Sequence, residues 1–468
     1  MIRELLLCLA CAGTLGVSRA DDERSKVLAC EDTGPDDIYL DLSNLNIPTI
    51  QKRMAPSAKI TCLNLARNQI RDIDSDAFDG LPELHYLNLA ENPVRPNHFV
   101  QTKLLNLKTL ILDRLIFDDY EQYYMRQDSE NVPLLPLSMP ELEKLSLNSY
   151  GEGYLYRIRY FLKSFEVPNL THLYLSDNGL LDEELSHIVF NMHNLTHLYL
   201  DGTVINYFDG TSLPNLRYLS MDRNRLPSRY DRYNNYETPT IPRDMNNLEY
   251  LSFASNGIRV IHSTMFESLQ NLRFLNLAGN EIEHFPLEAA MNLVNLRNLT
   301  LDKNKLTSVP RICELETLRF LSLNGNKIRS LTDTSFCSMA HLSAIYLRNN
   351  DLSSIDNETF GHLPALRVLD LSYNKIVSLP EHWIAPNNYI AELHLDGNKF
   401  VDIDSMSLKS VNGLQRLSIG HNPIAMLTIL SLVDLPNSTR IDAMRFPCDT
   451  CIYFLRKSNS SAFYRRSN

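Results

Sequence analysis

Cysteine and histidine are the residues of this 468-residue chain with the most chemistry to offer, and their spacing decides which chemistry. Cys313 and Cys337 stand 24 residues apart, Cys448 and Cys451 form a C-x-x-C pair, and Cys30 and Cys62 lie near the amino end. Paired thiols oxidise to disulfides in an oxidising compartment. C-x-x-C also suits a redox motif or half a zinc site, but no βαβ pattern surrounds it and no second ligand pair follows. His172 and His197 occupy twin phrases, "LTHLYL". Side by side they could titrate between about pH 5 and 8 or hold a metal weakly, yet no carboxylate or cysteine is placed to complete a site. There is no G-x-S-x-G, no H-E-x-x-H, no phosphate loop, and no paired carboxylate outside charged turns. The chain therefore reads as a non-enzyme with no cofactor and no metal site.

The 24-residue interval belongs to the whole sequence. The phrase L-x-x-L-x-L-x-x-N starts at residues 248, 272, 296, 318, 342, 366, 390 and 414, and less evenly at Ile60, Leu84, Leu107, Leu142, Leu170, Leu195 and Leu216. That makes 15 copies. L-x-L alternation describes a short strand with one buried face, and a strand returning every coil predicts a parallel stack. A period in the range of about 20 to 29 with this signature indicates leucine-rich repeats. The predicted fold is an α/β solenoid, a horseshoe with parallel strands on its concave face and loops and short helical turns on its convex face.

The other recurring types follow from the same geometry. An asparagine closing each phrase can bond backbone groups of its own and neighbouring coils. Asn68, Asn92, Asn178, Asn224, Asn256, Asn280, Asn304, Asn326, Asn350, Asn374, Asn398 and Asn422 form this predicted ladder, which is lost at Leu115, Tyr150 and Thr203, where the backbone is expected to deviate. Phe78, Phe266, Phe336 and Phe360 recur at one offset and should pack inward from the convex side. Cys313 and Cys337 both precede the next repeat's first leucine by five residues, so they fall at equivalent points of adjacent coils, within disulfide reach. Cys30 and Cys62 bracket the first irregular coil, "IYLDLSNLNI", and should close a cap over the exposed end of the core.

"FDGLPELHYLNLAENPV" and "FGHLPALRVLDLSYNKI" resemble the 24-residue class of extracellular leucine-rich repeat proteins, from about Ile38 to Cys448. That resemblance implies a carboxy-terminal cap with four cysteines, of which only Cys448 and Cys451 stand here, in "FPCDTC". They can bond locally or to another chain. The second option is suggested by similarity to secreted arthropod immune leucine-rich repeat proteins, which form disulfide-linked assemblies but continue into a coiled coil that this sequence lacks.

"MIRELLLCLACAGTLGVSRA" reads as a signal peptide: Arg3, an apolar run from Leu5 to Val17, and small residues before Asp21. The run is shorter than the about 20 residues a membrane span needs. Cys8 and Cys11 would leave with it. The expected organisation is a signal peptide over 1–20, an amino-terminal cap and irregular coil over 21–59, and about 15 repeats over 60–437. Insertions fall near 116–140, 150–168 and 227–246, and a truncated cap with a polar tail covers 438–468. No later stretch is long and apolar enough to span, so the mature chain is expected to be secreted and extracellular. With 45 Lys and Arg against 56 Asp and Glu, a net charge of −11 argues against nucleic acid or an anionic membrane as principal partner.

Two surfaces could bind a partner. On the predicted concave face stand Tyr86, His172, His197, Tyr218, Tyr250, Phe274 and Phe320, with Tyr174, Tyr199 and Tyr346 two residues along their strands. This composition resembles an interface, although aromatic residues also suit strands and stack on neighbouring rungs. The second surface is the tyrosine-rich insertions, since tyrosine offers large contact area with a polar tip. Six sequons, Asn169, Asn194, Asn298, Asn357, Asn437 and Asn459, fit a secreted glycoprotein. Asn298 falls between Phe274 and Phe320, where a glycan would block docking. The sequence thus reads as a recognition protein for another protein or a microbial product, with innate immunity as its expected setting. An adhesion or matrix protein, or a soluble receptor ectodomain, is the alternative.

Overall fold

The computed structural model describes residues 30, 38–52, 59–94, 102, 104–115, 137–150, 165–180, 182–190, 192–203, 205, 213–224, 245–337, 339–385, 388–424, 435 and 439–442. The chain divides into two units, Met1–Asn224 and Arg225–Asn468. The signal-peptide segment, Cys448, Cys451, Asn437, Asn459 and most of the three insertions lie outside the described residues.

Each L-x-L phrase folds as a short strand. In the first unit these are Ile38–Asp41, Ile60–Asn64, Tyr86–Asn88, Thr109–Ile111, Lys144–Ser146, His172–Tyr174, His197–Tyr199 and Tyr218–Ser220. Every one pairs in parallel with the next. The second unit repeats the pattern with Tyr250–Ser252, Phe274–Asn276, Asn298–Thr300, Phe320–Ser322, Ala344–Tyr346, Val368–Asp370, Glu392–His394, Arg416–Ser418 and Arg440–Asp442. From Tyr86 through Val368–Asp370 and on to Leu417, the middle residue of each strand is a leucine or isoleucine that points inward and is buried, each contributing roughly 2 kcal/mol of transfer free energy.

Strand register survives the insertions. Thr109, Leu110 and Ile111 pair with Lys144, Leu145 and Ser146 across the longest break in the repeat. The ends of the first two insertions are already coil, since Leu137–Ser138 pairs in parallel with Phe165–Glu166, and Met139 and Val167 are buried.

All twelve ladder asparagines are buried. Asn350 shows how one amide serves three backbone groups: Nδ2 donates to the carbonyls of Leu323 (2.9 Å) and Leu347 (3.0 Å), and Oδ1 accepts from the Ile328 N–H (3.1 Å). The coils that lack an asparagine do not lose strand register. The Tyr150 hydroxyl donates to the Leu112 carbonyl, and the Thr203 hydroxyl lies 2.8 Å from the Leu200 carbonyl, both backbone acceptors of the kind an amide would use. The expected backbone deviation at these coils is therefore not found in their strand pairing.

The residue before most ladder asparagines is left-handed, as at Arg67, Ser255, Lys303, Tyr373 and His421. Gly397 occupies this position next to Tyr373, and a Cβ there would come within 2.8 Å of the tyrosine ring.

Helix is scarce among the described residues: Asp182–Val189, Leu287–Ala290 and two single 3-10 turns. The side opposite the sheet is instead filled by aromatic rings. Phe266 stacks on Phe285, Phe336 on Phe360, and Phe360 meets Trp383 edge-on. Cys313 is bonded to Cys337 and Cys30 to Cys62. No helix among the described residues is long and apolar enough to cross a membrane.

Candidate binding surface

Strand alternation turns the residues on either side of each central leucine away from the core. In the first unit, parallel register lines these up in two rows: Lys144, His172, His197 and Tyr218, then Ser146, Tyr174, Tyr199 and Ser220. Because adjacent strands lie about 4.8 Å apart, identical side chains in neighbouring coils meet face to face. The His172 and His197 rings stack at 4.0 Å, and Tyr174 and Tyr199 stack at 4.3 Å. Tyr218 closes both rows, 5.5 Å from His197 and 4.8 Å from Tyr199.

This packing corrects the sequence expectation for five tyrosines and Phe320. Tyr174 is 0% exposed, Tyr199 3%, Phe320 7%, and Tyr86, Tyr218 and Tyr346 8% each. They point away from the leucine core, but ring contacts among Tyr174, Tyr199 and Tyr218 and between Phe320 and Tyr346 remove those faces from solvent, and Tyr86 is buried too, so they are structural before they are contact surface. Burial pushes the Tyr86 hydroxyl up to about 12. His172, His197, Tyr250 and Phe274 are half-buried and keep part of their rings outside.

The histidines are held in one tautomer. Thr171 Oγ1 donates to the Glu143 carbonyl (3.0 Å) and also lies 2.8 Å from His172 Nδ1. Its proton being used, it accepts from Nδ1–H. Thr196 repeats the arrangement, donating to the Thr171 carbonyl (3.1 Å) and accepting from His197 Nδ1 (2.8 Å). Nε2 of each ring is thus the lone-pair nitrogen, with no partner among the described residues. Burial, helped by the neighbouring His197 and by Lys144, lowers His172 to about 3. Burial, with Arg217 and Lys144, lowers His197 to about 4. The pair is neutral across the pH 5–8 window that the sequence offered for its titration. Nor do parallel rings aim two in-plane lone pairs at one point, which a shared metal would require.

One juxtaposition was not legible in the sequence. His85 Nε2 approaches Cys62 Sγ at 3.7 Å, grouping Cys30, Cys62 and His85. The sulfurs are bonded to each other, so neither is a thiolate ligand. A second asparagine series also emerged. Asn106, Asn169, Asn194, Asn215, Asn271 and Asn295 each donate Nδ2 to a carbonyl of the preceding coil at 2.8 to 2.9 Å. The signal was an asparagine immediately before each phrase's first leucine. Sequons Asn169 and Asn194 belong to this series and are exposed, as is Asn357, while Asn298 is half-buried.

In the second unit the outward row reads Tyr250, Phe274, Asn298, Phe320 and Ala344. Tyr250 stacks on Phe274 at 4.6 Å, and Phe320 tilts against Tyr346 at 5.1 Å.

A leucine-rich repeat family model matches residues 38–94, 246–306, 316–376 and 340–400, and a second model of the same repeat matches 169–192. The matched segments are leucine-rich repeats. Neither match is to an enzyme family. No curated protein matches the sequence significantly. Among solved structures, the leucine-rich repeat chain resembles a leucine-rich repeat protein of Leptospira interrogans, with TM-score 0.55 and 23% identity over 86% of this chain and 95% of that one. It also resembles a TLR13–ssRNA13 complex, with TM-score 0.53 and 18% identity over 86% of this chain and 66% of that one. The Drosophila Toll–Spatzle complex gives TM-score 0.57 and 17% identity over 82% of this chain and 53% of that one. The chain thus spans about two thirds of the first complex's matched chain and about half of the second's. At these identities the likeness is one of fold.

Proposed function

We propose that this leucine-rich repeat protein is a secreted, extracellular recognition factor of innate immunity that binds another protein or a microbial product through the outward face of its parallel sheets. The observation that carries the reading is the in-register row of half-exposed rings, His172 and His197 in one unit and Tyr250 and Phe274 in the other. Aromatic groups fixed on rigid strands give contact area at little entropic cost on binding. The Toll–Spatzle complex, a molecular hub in Drosophila development and innate immunity, contains a chain of similar fold and supports the immune setting. The tyrosine-rich insertions add contacts, and Cys448 or Cys451 bonds a partner chain.

The test compares wild-type protein with a Tyr250→Ala, Phe274→Ala variant and a His172→Gln, His197→Gln variant for binding to microbial cell walls and to proteins of the same extracellular fluid. Each folded variant should lose at least one ligand that wild type retains. Binding of every ligand at wild-type affinity by both variants would refute the sheet face as the site. Gels run with and without reductant test the covalent partner: a high-mass band should collapse on reduction and contain Cys448 or Cys451.

A further inference from the structure

In the second unit the residue just before the strand is Glu249, Arg273, Arg297, Arg319, Ser343 and Arg367 in successive coils. Backbone pairing holds this column straight. The N–H groups of Arg297 and Asn298 donate to the Arg273 carbonyl, those of Arg319 and Phe320 to the Arg297 carbonyl, and those of Ser343 and Ala344 to the Arg319 carbonyl, at 2.8 to 3.0 Å. Three arginines therefore stand on adjacent coils at the strand spacing of about 4.8 Å.

Their surroundings differ. Arg273 is paired with Glu249 at 3.0 Å, and Arg367 donates to the carbonyls of Pro364, Leu366 and Tyr389. Arg297 and Arg319 make no ion pair or side-chain hydrogen bond among the described residues. The carboxylates that follow the strands of these coils are engaged with other groups. Glu281 holds Arg259 and Lys305, and Asp302 accepts from Ser322 and Asn324. In a chain of net charge −11, two uncompensated guanidinium groups one coil apart invert the local sign.

The same coils contain the gap in the aromatic row. Phe274 leans back on Tyr250 and Phe320 leans forward on Tyr346, so Asn298 lies between two ring pairs with Arg297 and Arg319 beside it. Arginine beside aromatic rings is the composition of interface hot spots, and a guanidinium binds carboxylate with two parallel hydrogen bonds.

Resting on the sheet-face reading above, we propose that Arg297 and Arg319, flanking the Asn298 gap, receive an acidic segment of a protein partner, one carboxylate to each guanidinium. Charge complementarity selects the partner's sign. Single-stranded RNA is the poorer fit, because the ring faces are turned on one another and not free to stack bases, and two cations offer few phosphate contacts. Asn298 begins an N-L-T sequon, so a glycan there and the acidic segment exclude each other.

The experiment measures binding of fluorescent oligo-glutamate, oligo-lysine and single-stranded RNA to the full chain carrying Asn298→Gln, which removes the glycan acceptor and keeps an amide. Oligo-glutamate should bind best and weaken with added salt. Arg297→Ala or Arg319→Ala should each weaken it about tenfold, and Arg297→Glu with Arg319→Glu should abolish it, while Arg259→Glu changes nothing. No oligo-glutamate binding, binding insensitive to Arg297 and Arg319, or preference for RNA would each overturn the proposal. A ligand lost in the His172, His197 variant but kept in the arginine variants would leave sheet-face recognition standing while sinking the acidic patch. Loss of oligo-glutamate in the arginine variants, with every natural ligand unaffected by sheet-face changes, would do the reverse.

Discussion

The outward rows of the two units are built on the same strand register yet satisfy themselves to different degrees. In the first unit His172 stacks on His197 and Tyr174 on Tyr199, with Tyr218 closing both rows and threonine hydroxyls fixing each imidazole. In the second unit the row breaks at Asn298, and Arg297 and Arg319 beside it have no counter-charge among the described residues. A repeated residue in adjacent coils completes its own packing, whereas an interruption leaves groups for a partner to satisfy. Stability is therefore concentrated in the first row and contact capacity in the second.

Four changes separate these roles. Tyr174→Ala should have the largest effect, about 3–5 kcal/mol, because it empties a fully buried, stacked position; denaturant midpoints read by hydrogen exchange should fall in the first unit. Cys313→Ser with Cys337→Ser opens a 24-residue loop and should cost roughly 3 kcal/mol, with faster exchange confined to the second unit.

Acid should act on the first row. In the folded chain His172 and His197 are lowered to about 3 and 4 from 6.5, so between pH 6.5 and 4 the unfolded chain takes up protons that the folded chain does not. Their contribution is fully present above pH 6.5 and declines as pH falls, by about 2 kcal/mol for the pair at pH 5 once partial exposure is allowed for. The His172→Gln, His197→Gln variant should flatten that slope in thermal melts taken across the range. Arg297→Ala should be the smallest, within about 0.5 kcal/mol of wild type in the same melts, because the side chain makes no ion pair or side-chain hydrogen bond among the described residues.

Much of this architecture was legible from residue types. The L-x-L phrases located the strands, the phrase-closing asparagines marked the ladder, and equal offsets from the next leucine paired Cys313 with Cys337. What failed did so for physical reasons. Alternation gives the direction of Tyr174 and Tyr199 but not their exposure, which the stacking of one coil on the next decides. The ladder needs a donor at a point in space, so the Tyr150 hydroxyl donates to Leu112 and the Thr203 hydroxyl stands within bonding distance of the Leu200 carbonyl and Asn224 Oδ1, although neither residue resembles asparagine. The histidine pair kept its predicted adjacency and lost its predicted titration, because burial beside Lys144 and Arg217 disfavours the charged ring. His85 beside Cys62 depends on a side-chain direction that spacing does not encode.

The most direct test of sheet-face recognition is amide hydrogen exchange on the full protein, free and saturated with a ligand that it binds in its native fluid. New protection should fall on the outward strands, with residues 297–302 and 319–324 among the most changed. Protection confined to the opposite side, around the Phe266 to Trp383 ring stack, would contradict it.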